Sequence, residues 1–149
     1  MKTLLLVGSP RKGRSASETL GGYLLSQLEA RQMETDKAYI YTALTSDEEL
    51  EATIAGVAQA DLVVLAAPLY VDCLPAAVIE FLEILARRLP ERDRPAGQRI
   101  VAISNSGFPE AHQNDVALAI YRRFAQETGF DWAGGLAMGA GEAVKGRPL

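Results

Sequence analysis

The sequence predicts an α/β fold, a five-stranded parallel sheet wrapped by helices, and three observations carry that reading. Short apolar runs alternate with amphipathic stretches in the order β-α-β-α-β-α-β-α-β, the pattern of parallel strands joined by right-handed crossovers. The run Leu62–Ala67 is apolar throughout, as a strand covered on both faces must be. No repeat, low-complexity stretch or linker interrupts the 149 residues, so residues 1–149 read as one domain. A chain of this length buries roughly 68–70% of its unfolded surface, enough for a real core.

The elements follow in order. Thr3–Val7 is an apolar strand that stops at Gly8-Ser9-Pro10. Leu20, Leu24 and Leu28 share one face of the next helix, and Ser15 with Glu18 has the spacing of a capping box at its start. Lys37–Tyr41 reads as a second strand. Ser46 and Glu49 form a second candidate capping box, ahead of Leu50, Ile54, Val57 and Ala58 at helical spacing. Leu62–Ala67 is the third strand and Pro68 ends it. Pro75 suits the first position of a helix that carries Val78, Phe81, Leu82 and Leu85 to about Leu89. Ile100–Ser104 is the fourth strand. Val116, Ile120 and Phe124 mark a helix closed near Gly129, and Phe130–Met138 reads as a fifth strand weakened by Gly134 and Gly135.

Composition excludes several functions. Apolar residues make up 48% and charged residues 23%, the balance of an ordinary globule. A net charge of −4 argues against nucleic acid or an anionic membrane as a partner held by global charge. One Cys and one His leave no disulfide framework, multi-Cys zinc site, Cys-ligated iron–sulfur cluster or multi-His metal site. No apolar run reaches the roughly 18–20 residues of a membrane span, and Leu4–Val7 is too short for the core of a signal peptide. A cytoplasmic protein is the default.

Five strands in this length fit a doubly wound sheet of order 2-1-3-4-5, the flavodoxin-like arrangement. That fold ends with a further helix, and Ala140–Leu149 shows none. Either the chain is truncated or a partner covers the exposed sheet face, and the latter leads us to expect a homodimer or larger assembly.

Ligands of such sheets bind beyond the carboxyl ends of the strands, near the switch point. Three loops therefore carry the chemistry. Gly8–Ser17 joins a strand to a helix N-terminus, whose free N–H groups suit a phosphate. Ser9, Ser15 and Ser17 add hydroxyls, and Arg11, Lys12 and Arg14 add charge. The bland alternative is a solvated turn whose serines merely cap the helix. Pro68-Leu69-Tyr70-Val71-Asp72-Cys73-Leu74-Pro75 holds apolar and aromatic groups on a turn restricted by two prolines. Leu74 is as readily a core residue, and Tyr70 less so. In Asn105-Ser106-Gly107-Phe108-Pro109-Glu110, Gly107 lets backbone approach a ligand, Phe108 adds an aromatic edge, and Asn105 and Ser106 add polar ones. Together the loops describe a site for a mononucleotide with a large planar ring.

The first loop also approaches the pattern GxxxxGK[ST], with Arg14 in place of its Lys. No acid follows the third or fourth strand to help hold Mg²⁺, which counts against a nucleotide hydrolase. The dinucleotide fingerprint GxGxxG is absent.

The segments GSPRKGRSAS, APLYVDCLPA and NSGFPEA, in that order after strands one, three and four, resemble the NADPH-dependent FMN reductase-like flavoproteins. The resemblance spans nearly the whole chain. It implies non-covalent FMN as cofactor, NADPH or NADH as co-substrate, and a quinone or other small acceptor as oxidant. It also implies Ser9, Arg11, Ser15 and Ser17 around the phosphate, Pro68, Leu69, Tyr70 and Val71 along the isoalloxazine, and Asn105, Gly107 and Phe108 on its other side. The rival is an electron carrier without NAD(P)H turnover, and the basic Arg11–Arg14 stretch leans away from it. No acid–base constellation is required, because the cofactor carries the hydride. Cys73 reads as a packing residue, His112 and Asp72 as surface groups, and Trp132 and Tyr121 as core or interface.

Overall fold

Strand β1 (Lys2–Val7) lies inside the sheet, and from Thr3 onward every one of its side chains is buried. The computed structural model describes residues 1–147 and 149. The five strands are all parallel, in the order β2-β1-β3-β4-β5, with β2 Glu34–Tyr39, β3 Leu62–Pro68, β4 Arg99–Asn105 and β5 Asp131–Met138. This is the doubly wound, flavodoxin-like order that the alternating pattern predicts.

The pleat divides the core into two. Leu4, Leu6, Val63, Leu65, Ile100 and Ala102 face one way, toward α2 (Ile40–Ala43), α3 (Asp47–Gln59), α4 (Ala76–Arg88) and α5 (Asp115–Thr128). Leu5, Val7, Val64, Ala66 and Ile103 face the other way, toward Leu20, Leu24, Leu25 and Leu28 of α1 (Ala16–Glu29). Each large apolar side chain so buried contributes roughly 1.5–3 kcal/mol. Tyr121 fills the first layer as a fully buried side chain, and Trp132 packs half-buried at its rim. No helix among the described residues is long and apolar enough to cross a membrane.

Several boundaries differ from the sequence reading for identifiable reasons. β2 begins at Glu34, three residues before Lys37, and stops at Tyr39. As an edge strand it needs no apolar face, and its length is set by pairing Lys2 with Glu34 through Val7 with Tyr39. Ile40 instead opens the short α2 and is fully buried against the core. Pro75 is the N-cap of α4, not its first helical residue: its ψ is 142°, and its carbonyl accepts from the N–H groups of Val78 and Ile79. The glycines of β5 do not break the strand. Gly134, at φ +132°, follows a register shift against Ile100 and Val101. Gly135 lies where a Cβ would come within 2.9 Å of Leu118, so its missing side chain lets α5 approach.

After β5 the described residues hold one 3₁₀ turn, Gly141–Ala143, and no α-helix. On the α1 side of β5, Leu136 is therefore left 49% exposed. The turn is fixed by its entry. A Cβ at Gly139 would lie 2.1 Å from the Pro109 carbonyl oxygen, and Ala140, at φ +50°, donates its N–H to the Phe108 carbonyl.

The two kinds of glycine should respond oppositely to alanine. Gly139→Ala must displace backbone and should cost about 1–3 kcal/mol in chemical denaturation. Gly22→Ala, inside α1 with open space around the new Cβ, should stabilise by about 0.5–1 kcal/mol. Equal effects would contradict the packing described.

Candidate functional site

α1 leaves β1 toward one face of the sheet, and the chain after β3 leaves toward the other, so a crevice opens between the carboxyl ends of β1 and β3. A cavity of about 150 Å³ lies there, lined by Ser9, Arg11, Ser15, Ala16, Ser17, Pro68, Tyr70, Asn105, Glu142 and Lys145. A roomier groove of about 500 Å³ runs between α4 and α5, but its lining carries no hydroxyl and none of the strand-end loops. The smaller cavity is the one with convergent polar groups.

The first loop is shaped by close approach. Gly8 donates to the Ala66 carbonyl at 2.8 Å, and a Cβ there would meet Val78 at 2.7 Å and Ala67 at 2.8 Å. Ser9 Oγ accepts from the Arg11 N–H at 3.3 Å. Gly13 takes φ +73° and turns the chain back, so that its N–H donates to Glu18. Ser15 is the N-cap of α1, its Oγ accepting from the Glu18 N–H at 3.1 Å. The return half of the capping box does not form. The Glu18 carboxylate is taken instead by Gly13, by Lys37 Nζ at 2.7 Å and by the Tyr39 hydroxyl at 2.5 Å.

The donors left over are the informative feature. Ser9, Ser15 and Ser17 are each more than nine-tenths buried. Each accepts one hydrogen bond, and among the described residues none donates its hydroxyl proton. For Ser17 the direction is fixed, because Asn105 Nδ2 also sits 3.2 Å from the Ala67 carbonyl and must be the nitrogen. The N–H groups of Ala16 and Ser17 likewise find no acceptor among the described residues, as the first turn of a helix dictates. Buried donors without acceptors are costly. A cluster of them at a helix N-terminus fits an anion with several oxygens.

The second loop is a tight hairpin. Tyr70 and Cys73 exchange both backbone bonds, at 2.8 and 3.0 Å. Val71 and Asp72 between them take φ +49° and +57°, the signature of a type I′ turn without its usual glycine. Val71 is 98% exposed and Tyr70 44% exposed. Leu74 is buried in the core, and Leu69 packs against it while donating its N–H to the Asn105 carbonyl.

The third loop is held by two asparagines. Asn105 Nδ2 reaches Ser17 Oγ at 2.7 Å and the Ala67 carbonyl. Asn114 is fully buried: its Oδ1 accepts from Ser104 Oγ, and its Nδ2 donates to Ser106 Oγ and to the Ala111 and Met138 carbonyls. Phe108 stands 58% exposed beyond this network, and Gly107 has open space around it.

Of the residues expected from sequence, the structure brings Ser9, Arg11, Ser15, Ser17, Pro68, Tyr70 and Asn105 into one cavity. Leu69, Val71, Gly107 and Phe108 do not line it; Val71 and Phe108 stand exposed, and Leu69 turns toward the core. Glu142 and Lys145 were not anticipated, because nothing in Ala140–Leu149 has a periodic or motif signal. Among the described residues no group of three or more His, Cys, Asp or Glu is placed to hold a metal ion.

Electrostatics beside the first loop are organised by Glu18. Burial pushes its carboxyl up, but hydrogen bonds from Lys37, Tyr39 and Gly13 outweigh this and hold it below the usual range. The Lys37 ammonium is raised, chiefly by the bond to Glu18. Lys12 lies over the Tyr39 ring at 5.2 Å.

Fold and site together define a flavodoxin-like protein with a cavity rich in hydrogen-bond donors at its switch point. Residues 1–124 match the family described as NADPH-dependent FMN reductase, and the chain belongs to that family of flavin-dependent oxidoreductases. No curated protein matches the sequence. Among solved structures, the chain is similar to an azoreductase from Bacillus anthracis str. Sterne, with TM-score 0.66, 14% identity and coverage of 97% of this chain and 92% of that one. It is also similar to the apo form of an NADH:FMN oxidoreductase (EMOB), with TM-score 0.72, 20% identity and coverage of 93% and 75%. A flavodoxin from Streptococcus pneumoniae TIGR4 gives TM-score 0.66 at 16% identity, over 93% and 85%. At these identities the likeness is one of fold.

Two outcomes test the geometry. Val71→Gly should raise stability by about 1 kcal/mol, since a β-branched residue at positive φ is strained. Wild type should exceed Glu18→Gln in stability at neutral pH. A depressed carboxyl contributes above its unfolded value, so the gap should close as pH falls through about 4.5 and below. A gap independent of pH in denaturation experiments would contradict the assigned role of the charge.

Proposed function

We propose that the protein is an FMN-dependent NAD(P)H oxidoreductase that passes hydride from NAD(P)H to a quinone or another small acceptor. The observation that carries the reading is the cluster of buried, donor-bearing Ser9, Ser15 and Ser17 at the N-terminus of α1, with the exposed Tyr70 turn beside it. Bound FMN would supply the hydride chemistry, accepting from the nicotinamide and donating to the acceptor.

The residues present fit that group. Ser9, Ser15 and Ser17 have hydroxyl protons to give to phosphate oxygens, and Arg11 brings a guanidinium to the same cavity. Pro68, Leu69, Tyr70 and Val71 are assigned to one side of the isoalloxazine, with the rigid hairpin presenting Tyr70 and with Leu69 contributing backbone. Asn105, Gly107 and Phe108 are assigned to the other side. Here Asn105 acts by holding Ser17 and the β3 end in place, and Phe108 offers an exposed apolar edge. The protein's part in catalysis is then placement, which brings nicotinamide and flavin together without an acid–base residue. Self-association belongs to the same reading, and the half-exposed Leu136 on a sheet face without a helix supports it.

Titration of FMN with the purified protein should show saturable quenching of flavin fluorescence at one flavin per chain. Anaerobic NADPH or NADH should then bleach the bound flavin in stopped flow. Binding without bleaching would instead favour an electron carrier, and absence of binding would leave the likeness one of fold. Light scattering should give the mass of two chains or more; a monomer at working concentration would count against self-association.

A further inference from the structure

The chain beyond β5 returns to the cradle, and that return places a cation there that the first three loops do not supply. Gly141 donates its N–H to the Ser106 carbonyl at 2.8 Å, and a Cβ on it would lie 3.0 Å from Asn105 Oδ1. Gly146 donates to Thr19 Oγ1 in the first turns of α1 at 3.1 Å. Between these two anchors stand Glu142 and Lys145. Both line the same cavity as Ser9, Arg11 and Ser17, and Lys145 Nζ pairs with Glu142 Oε2 at 2.9 Å. The Lys145 side chain is 29% exposed and that of Glu142 is 72% exposed. Both residues lie outside the span 1–124 that matches the family.

We propose that Lys145 is a phosphate-binding residue of the cofactor site, held ready by Glu142 and released from it when a phosphate monoester enters the cradle. The proposal rests on the flavin reading and deepens it. The buried hydroxyls of Ser9, Ser15 and Ser17 are the independent sign that an anion belongs there, each more than nine-tenths buried with a proton and no acceptor for it. They are neutral donors, and a phosphate monoester carries a charge of about −1.5 to −2 at neutral pH. Arg11 offers one positive charge from the first loop, whose other cations, Lys12 and Arg14, do not line the cavity. Lys37 is committed to Glu18, and Lys12 lies over Tyr39. Lys145 supplies the second charge, from the chain after β5. A carboxylate as exposed as Glu142 can swing into water, so exchanging it for phosphate forfeits only a weak surface pair.

The test compares flavins with and without the phosphate. Full-length wild type and its Lys145→Ala, Lys145→Arg and Glu142→Gln variants are titrated with FMN and with riboflavin by flavin fluorescence. Inorganic phosphate is followed separately by thermal shift. Lys145→Ala should weaken FMN about five- to tenfold and leave riboflavin within about twofold, with a shallower salt dependence for FMN. Lys145→Arg should retain most of the affinity, and Glu142→Gln should tighten FMN. Unchanged FMN affinity in Lys145→Ala, or equal weakening of FMN and riboflavin, would overturn the role of Lys145 while leaving the flavin reading standing. Failure of wild type to bind either flavin would remove the flavin reading. In that case a Lys145-dependent thermal shift by inorganic phosphate would uphold the phosphate role, and no shift would overturn it as well.

Discussion

One side-chain amide joins the carboxyl ends of two parallel strands to the start of α1, and the site depends on it. Asn105 closes β4, donates from Nδ2 to Ser17 at the start of α1 and to the Ala67 carbonyl near the end of β3, and offers its own carbonyl to Leu69. It is 6% exposed, so these bonds form in a low dielectric where an unmade one would be expensive. Ser17 lies 88 residues away in sequence, and its hydroxyl is oriented by this contact alone among the described residues. The amide thereby settles which part of Ser17 stays free: the oxygen accepts from Asn105, and the proton is left without an acceptor among the described residues. Asn114 does the same service one layer back, tying Ser104, Ser106 and Met138. A cradle built this way is organised before any ligand arrives, which lowers the cost of ordering it on binding.

The same economy governs charge and backbone. Glu18 gathers the Gly13 N–H, Lys37 and Tyr39, and Tyr39 in turn carries Lys12 over its ring. Lys37 is thus paired and Lys12 lies over an aromatic ring, while Arg11 lines the cavity. The hairpin after β3 holds two non-glycine residues at positive φ, and the paired bonds of Tyr70 and Cys73 are what keep them there. Strain of that kind persists only where its surroundings over-determine it, and the turn holds Tyr70 at the cavity while Val71 stands in solvent.

How much of this was legible in the sequence follows from where each signal resides. β1, β3 and β4 are central strands whose apolar runs announce burial on both faces, so their places could be read directly, while their order followed from the β-α alternation and the doubly wound fold it fits. β2 is an edge strand with a polar sequence, and only its pairing with β1 sets its start. Ser15 as N-cap was visible in its spacing to Glu18, but the fate of that carboxylate was not, because Lys37 and Tyr39 reach it from a neighbouring strand. The three loops were found because strand ends at a switch point are a topological position. Which way Leu69 faces within its loop is a packing outcome with no periodicity behind it. Glu142 and Lys145 were silent for a different reason. Their position is set by contacts of Gly139, Ala140 and Gly141 with the β4–α5 loop some thirty residues earlier, and glycines that read as a weak, featureless tail are in fact demanded by close backbone approach.

The central claim is that buried hydroxyl groups and a helix N-terminus form a cradle for a phosphate dianion. Phosphorus NMR of FMN bound to the protein tests it most directly. The account predicts a resonance displaced from that of free FMN that does not titrate near the ordinary second phosphate pKa of about 6, because donors and positive charge favour the dianion. A bound flavin whose phosphorus titrates as it does in free solution would place the phosphate outside the cradle and contradict the account.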